Sequence, residues 1–172
     1  MTGQTAIRPL DVPGDLGWVI KAHGEIYAEE YGWDTSFEAL VARIAADYAA
    51  GDGLAGRAAW IAEFGGQRAG CIFCVPADGD PDVAQLRLLL TLPSARGRGL
   101  GGTLVGTCMD FARQAGYPRM RLWTQDVLAD ARRIYLARGF TLIAEEPHHS
   151  FGVDLVGQTY QADLGGLADP AG

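Results

Sequence analysis

The chain has 172 residues, 48% of them hydrophobic, and a net charge of −7 from 14 basic and 21 acidic side chains. That length and apolar content suit one compact domain with its own core, and the acidic balance argues against nucleic acid as the main partner. No run approaches the roughly 18–20 consecutive apolar residues of a membrane span. Met1 to Thr5 lacks the basic and apolar regions of a signal peptide, so a cytoplasmic protein with no membrane partner is expected.

Taken in chain order, Ala6 to Leu10 reads as a short strand closed by Asp11-Val12-Pro13-Gly14. A helix follows from Asp15, with Trp18, Val19, Ala22 and Ile26 spaced along one apolar face. Tyr31-Gly32-Trp33-Asp34 interrupts it, and a second helix starts near Ser36 with Phe37, Leu40, Val41, Ile44 and Tyr48 inward. Arg57 to Phe64 and Arg68 to Val75 read as strands joined at Gly65-Gly66-Gln67, a strong hairpin signal. Asp78-Gly79-Asp80-Pro81 reads as a loop, then Val83 to Leu92 as a strand.

A helix over Gly101 to Ala115 stops at Gly116-Tyr117-Pro118. Strand Arg119 to Thr124, helix Leu128 to Arg138 with Gly139 past its end, strand Phe140 to Glu145 and strand Thr159 to Leu164 complete the order. Glu146-Pro147 reads as a strand exit into a loop over Pro147 to Val156. The order β-α-α-β-β-β-α-β-α-β-β predicts an α/β (α+β) domain over residues 1–164: a mixed seven-stranded sheet with helices on both faces. Residues 165–172 read as a tail.

Cys71 and Cys74 match C-x-x-C, but three residues apart in a strand they point to opposite faces. With no second pair to complete a zinc site, buried reduced thiols are expected, as for Cys108 on the inner stripe of its helix. Adjacent His148 and His149 lack a companion set with ligand spacing, so no metal is expected.

The densest chemical signal is Leu92-Pro93-Ser94-Ala95-Arg96-Gly97-Arg98-Gly99-Leu100-Gly101-Gly102, at a strand-to-helix turn. Glycines there admit positive φ and close approach of an anion. Backbone amides, a helix N-terminus and two arginines then converge on a phosphate. Arg132, Arg133 and Arg138 add basic charge nearby. A Walker loop would need Lys and Ser or Thr where Leu100 and Gly101 stand. A Rossmann turn would need G-x-G-x-x-G after the first strand and an acidic residue about 20 positions on, where Arg119 and Arg121 fall instead.

Arg96-x-x-Gly99-x-Gly101 resembles the pyrophosphate motif of the GNAT superfamily of acyl-CoA-dependent N-acyltransferases. Ala131-Arg132-Arg133-Ile134-Tyr135-Leu136-Ala137-Arg138-Gly139-Phe140 is similar to that family's A-x-x-x-Y-x-x-x-G-F element, and the two together are far more specific than either alone. Leu122-Trp123-Thr124, with the segments Glu145 to Gly152 and Asp154 to Gln158, resembles the acetyltransferase half of fusions with winged-helix regulators. No DNA-binding half is recognisable among these residues.

The resemblance implies acetyl-CoA as co-substrate, with Arg96, Gly97, Arg98, Gly99, Leu100, Gly101, Gly102 and Arg132 about its phosphates. It also implies the main chain of Leu90 and Leu92 along its pantetheine arm, giving an oxyanion contact worth roughly 3 kcal/mol. Tyr135 is implied as the general acid for the leaving thiol; packing of its helix is the alternative. Where the family often carries an asparagine, this chain has Leu128, with Gln125 or Asp126 as possible substitutes. The acceptor is implied to lie between Glu25 to Asp34 and Pro147 to Val156, with Tyr27, Glu30 and Trp33 as its contacts. The aromatics serve equally well as core, and Glu29, Glu30 and Asp34 would attract a cation. For a general base, Glu25, Glu29, Glu30, Glu63, Glu145, Glu146, His148, His149 and ordered water stay open.

The expected function is acetyl transfer to a primary amine of a small molecule or peptide, with no covalent acyl-enzyme. A non-catalytic acyl-CoA sensor or accessory module is the alternative, and a homodimer is compatible with either.

Overall fold

Strand alternation sets the frame. In the computed structural model, which describes residues 3–51 and 55–165, β2 (Ala58–Phe64) and β3 (Gln67–Ala77) pair across Gly65 and Gly66. Both turn residues have positive φ (59° and 79°), the conformation a two-residue hairpin needs to match strand twist. Alternate residues then split between two cores. Ile61, Cys71 and Phe73 face one side, while Ala62, Ile72 and Cys74 face the other. All three cysteines are free and buried, with Cys71 and Cys74 on opposite faces.

The first side is covered by α1 (Asp15–Tyr31) and α2 (Thr35–Ala50), through Val19, Ala22, Ile26 and Val41. The second is covered by α3 (Leu100–Gln114) and α4 (Ala129–Ala137), through Leu104, Val105, Cys108 and Tyr135. Each fully buried Leu, Ile or Phe contributes about 1.5–3 kcal/mol. The remaining strands are β1 (Thr5–Pro9), β4 (Asp80–Thr91), β5 (Arg119–Gln125), β6 (Thr141–Ser150) and β7 (Val153–Asp163). They form one seven-stranded sheet in the order β1-β2-β3-β4-β5-β7-β6, with β4 and β5 the parallel pair. The element order and the mixed sheet with helices on both faces are as the sequence predicts. The expected tail lies, beyond Gly165, outside the described residues.

α1 is tied to the sheet by a buried carboxylate. Asp15 accepts two bonds from Arg8 (2.8 and 2.9 Å), one from Arg68 Nε (2.8 Å) and one from the Val12 amide (3.0 Å). The Arg8 guanidinium above all, then Arg68, holds that carboxyl well below the usual range.

Two expected loops are strands instead. Asp78 and Gly79 alone make the turn between β3 and β4, so Asp80 and Pro81 belong to β4. The segment from Pro147 to Val156 is the tip of the β6–β7 hairpin, turning on Phe151 and Gly152 with φ of 59° and 81°. Pro147 is tolerated inside β6 because β6 is the sheet's edge, where a missing N–H costs no ladder bond. Phe151 holds its left-handed φ through packing on Trp33 and Phe37 (ring centroids 5.0 and 5.1 Å) and through its carbonyl, which accepts the Asp34 N–H.

Candidate active site

The site is a gap opened in the sheet. β4 and β5 pair only from Val83–Arg119 to Leu86–Leu122; beyond that, β4 runs on to Thr91 beside β3, and β5 to Gln125 beside β7. The divergence coincides with a bulge in β4. Leu90 opposes Cys71 and Arg87 opposes Phe73, which leaves Leu88 and Leu89 against Ile72. Leu88 takes φ 56°, a rare conformation for a branched side chain, and its carbonyl accepts from the Cys71 thiol (3.2 Å).

This register decides which amides face the gap. The Leu92 N–H donates to Ala69 O (2.8 Å) and so points into β3. By antiparallel alternation Leu90 points the same way, while Leu89 and Thr91 face the gap. The main-chain groups open to a ligand are thus those of Leu89 and Thr91, one residue off the expected Leu90 and Leu92. Both pairs were equally compatible with an unaligned run of leucines.

On one side of the gap lies a cavity of about 550 Å³, walled by Leu89 to Thr91, the turn before α3, the start of α3, and α4. Gly97 and Gly99 have φ of 79° and 75°, so the turn needs glycine, and Gly99 caps α3. The amides of Leu100, Gly101 and Gly102 lie in the first helical turn, where no intrahelical acceptor exists. Gly101 is also where α3 meets α4, for a Cβ there would stand 2.8 Å from Ile134 Cδ1.

Of the residues expected about a phosphate, Arg96, Gly97, Gly99, Leu100, Gly101 and Gly102 line this cavity together with Leu90. Leu92, Arg98 and Arg132 do not. The Arg98 guanidinium lies 4.1 Å from the Phe64 ring centre, and Arg132 donates to Asp126 O (2.8 Å). Arg133 is in the lining, and Arg138 donates to Gly102 O (2.7 Å), anchoring the first turn of α3.

On the other side lies a smaller cavity of about 220 Å³, which shares Tyr27, Leu89, Leu128 and Ala131 with the first. Its walls are aromatic: Trp33, Phe37, Phe151 and Trp123, with Tyr27 between the cavities. Tyr27 packs against Trp33 and Phe37 at 5.0 and 4.8 Å, so these rings are both core and wall. Tyr135 reaches this cavity from α4. Burial, reinforced by Tyr27 and Cys108, pushes its phenol far above the ordinary value, and the group stays protonated.

Glu30 lies elsewhere than expected. It lines the larger cavity and takes both of its bonds from Arg96 (2.6 and 3.1 Å), which spends its charge there. Asp34 caps α2 by accepting from the Ser36 amide (2.9 Å). Among the described residues, no Asp or Glu lines the smaller cavity. Glu63 pairs with Arg8 (2.7 Å), Glu145 accepts from Gln158 and His149 meets Asp154. His148 bonds Gln125 (2.7 Å) and Ser150 (2.8 Å) and packs on Trp123 (5.5 Å), so it stands behind the cavity wall rather than in it. Leu128 precedes α4 and lines both cavities. Neither proposed substitute for it is free, since Asp126 accepts the Val156 amide (3.1 Å) and Gln125 is held by His148.

Sequence reasoning missed His23 and Arg87, both in the smaller cavity. Each sits in an apolar-periodic or alternating run that reads as ordinary helix or strand. The His23 Nδ1–H donates to Val19 O (2.7 Å), which fixes the tautomer and leaves Nε2 as an acceptor. Burial lowers its pKa to about 4.

An unfolded His23 titrates near 6.5. Between that value and about 4 the unfolded chain binds a proton that the folded one refuses, so stability falls on acidification across this window. The full span is worth about 3 kcal/mol. Asp15, depressed by its arginines, loses its contribution only below its ordinary value of 3.8, outside the window. The wild-type melting temperature should therefore drop between pH 7 and pH 4.5, and His23→Gln should flatten the profile. An unchanged slope in the variant would count against a neutral buried His23.

The Acetyltransferase (GNAT) family matches residues 20–140, from α1 to the end of the Tyr135 element. The Escherichia coli protein named uncharacterized N-acetyltransferase YjgM is 34% identical over 86 residues, 49% of this chain; the chain spans about half of that relative's length (52%). The Schizosaccharomyces pombe protein named uncharacterized N-acetyltransferase C1271.07c is 28% identical over 84% of this chain and 86% of its own. Among solved structures, yncA of Salmonella typhimurium, described as an acetyltransferase with its cofactor acetyl-CoA, superposes with a TM-score of 0.75 at 22% identity. That match covers 97% of this chain and 98% of the other, a likeness of fold.

Proposed function

The chain belongs to the acetyltransferase (GNAT) family, and on that premise we propose that it transfers an acetyl group from acetyl-CoA to a primary amine, directly within a ternary complex. The observation that carries this reading is the pair of cavities meeting at the β4–β5 gap, one with an amide-rich turn and the other with aromatic walls. The larger cavity fits a nucleotide with a flexible arm. The turn from Gly97 to Gly102 presents unpaired amides to a diphosphate, Arg133 adds charge, and the amides of Leu89 and Thr91 offer strand-like bonds to the arm. The solved yncA structure holds acetyl-CoA in the same fold, which supports this reading.

Acetyl-CoA supplies the acetyl group as a thioester; the C–N bond forms as the C–S bond breaks, and one proton passes from nitrogen to sulfur. The main chain at the β4 bulge holds the carbonyl where an amide can stabilise its developing charge. Tyr135, kept neutral by burial, donates its hydroxyl proton toward the departing sulfur and regains one from the amine side. The apolar walls exclude water, so transfer to nitrogen outcompetes hydrolysis. All three thiols are buried, and burial raises the pKa of Cys71 and Cys108, which disfavours an acyl-enzyme.

Thiol release from acetyl-CoA across an amine library tests the reading. Turnover with a defined amine is expected. Tight coenzyme binding without turnover on any amine, indifferent to Tyr135→Phe, would replace the enzyme with a sensor.

A further inference from the structure

Among the described residues, the smaller cavity contains one charged side chain, Arg87, and no acidic one to balance it. Arg87 stands on β4 immediately before the bulge, and its Nε is buried without a hydrogen-bond partner, the single such side-chain atom among the described residues. Among the described residues, the lining holds no Asp, Glu or Lys. Arg96, Arg132 and Arg138 are each occupied, by Glu30, Asp126 O and Gly102 O, and none of them lines this cavity. A buried guanidinium nitrogen with no acceptor is costly, and a ligand that supplies the acceptor would remove that cost. The planar fork of arginine matches a carboxylate.

A simple cationic amine is a poor match for this cavity. Its ammonium would meet a guanidinium in a partly desolvated space with no carboxylate to offset either charge. In an α-amino acid the carboxylate brings that offset and sits one carbon from the amine. The volume, about 220 Å³, is below the roughly 300–1,000 Å³ of pockets for drug-sized ligands, which favours a small molecule. The cavity meets the larger one at Leu89, two positions along β4 from Arg87, so a carboxylate on Arg87 leaves the adjacent nitrogen beside the junction.

We propose that the acceptor is a free α-amino acid with an apolar side chain, its carboxylate held by Arg87 and its side chain by Trp33, Phe37 and Phe151. This rests on the acetyl-transfer reading above and names the substrate class within it.

The test uses the full chain with acetyl-CoA and four acceptors (leucine, methionine, phenylalanine and tryptophan), each beside its carboxamide. Thiol release and calorimetric binding in the presence of CoA are both measured. At least one free acid should be preferred over its amide by about 100-fold in kcat/KM or Kd. Arg87→Gln should erase that preference while keeping the acetyl-CoA-induced rise in melting temperature, which reports on the other cavity and on folding. If Arg87→Gln fails to fold, Arg87→Lys, which keeps the charge but not the fork, should narrow the preference at least tenfold. Turnover of amides or simple amines as fast as acids would overturn the carboxylate site and leave the acetyltransferase reading intact. Neither binding nor turnover of any of the four acids would also overturn it. Silence with every amine in the wider library would instead overturn the acetyl-transfer reading.

Discussion

Gly99→Glu should abolish the stabilisation that acetyl-CoA gives the wild-type protein. At a concentration about 100-fold above Kd, a ligand of the folded state adds about 2.7 kcal/mol, which raises the melting temperature of a chain this long by about 5–10 °C. Gly99 lines the larger cavity, takes φ 75° and caps α3. A glutamate there would strain the turn and set a carboxylate where the amides of Leu100 to Gly102 call for an anion. The strain alone costs about 1–2 kcal/mol, so a control is needed. Gly66 has nearly the same φ (79°) and equally open surroundings, but it sits at the β2–β3 turn. Gly66→Glu should lower the baseline melting temperature similarly yet retain the full acetyl-CoA shift. A Gly99→Glu protein that still gains 5 °C or more, about 2 kcal/mol by the same scale, would remove the turn from coenzyme binding.

Tyr135→Phe should lower kcat by about 10²-fold with the acetyl-CoA shift unchanged, the signature of a proton donor that acts in the chemical step. The ring packs on Phe140 and Tyr160 (centroids 5.8 and 6.4 Å), contacts that phenylalanine keeps. Removing the hydroxyl therefore isolates the chemistry from the packing. Because burial lifts this phenol above its ordinary value of 10, wild-type kcat should show no declining limb from Tyr135 up to about pH 10. Turnover within a few-fold of wild type would make Tyr135 a packing residue only.

Much of the molecule was legible in the chain because its signals are local. Gly65-Gly66 fixes a hairpin by the φ it permits, and the 3.6-residue apolar spacing from Trp18 to Ile26 needs no partner to be read. The Arg96 to Gly102 turn and the Tyr135 element carry their chemistry in sequence order, and folding brings six of the seven turn residues named for the coenzyme, all but Arg98, onto one cavity. The β6–β7 hairpin was hidden because its turn, Phe151-Gly152, uses an aromatic residue in a left-handed conformation. That choice makes sense only once Trp33 and Phe37 are there to hold the ring.

The amino-acid order by itself determined the succession of strands and helices, the two-sided burial of the cysteines and the place of the glycine-rich turn before α3, since each depends on neighbours a few residues apart. Only the tertiary structure decided which amides of β4 are open, that Glu30 serves Arg96 rather than an acceptor, and that His23 and Arg87 share one aromatic cavity. Those outcomes depend on a single-residue register beside β3 and on contacts between segments 60 or more residues apart. In a run of leucines, or a helix with an ordinary apolar stripe, nothing local distinguishes the side or the partner that folding selects.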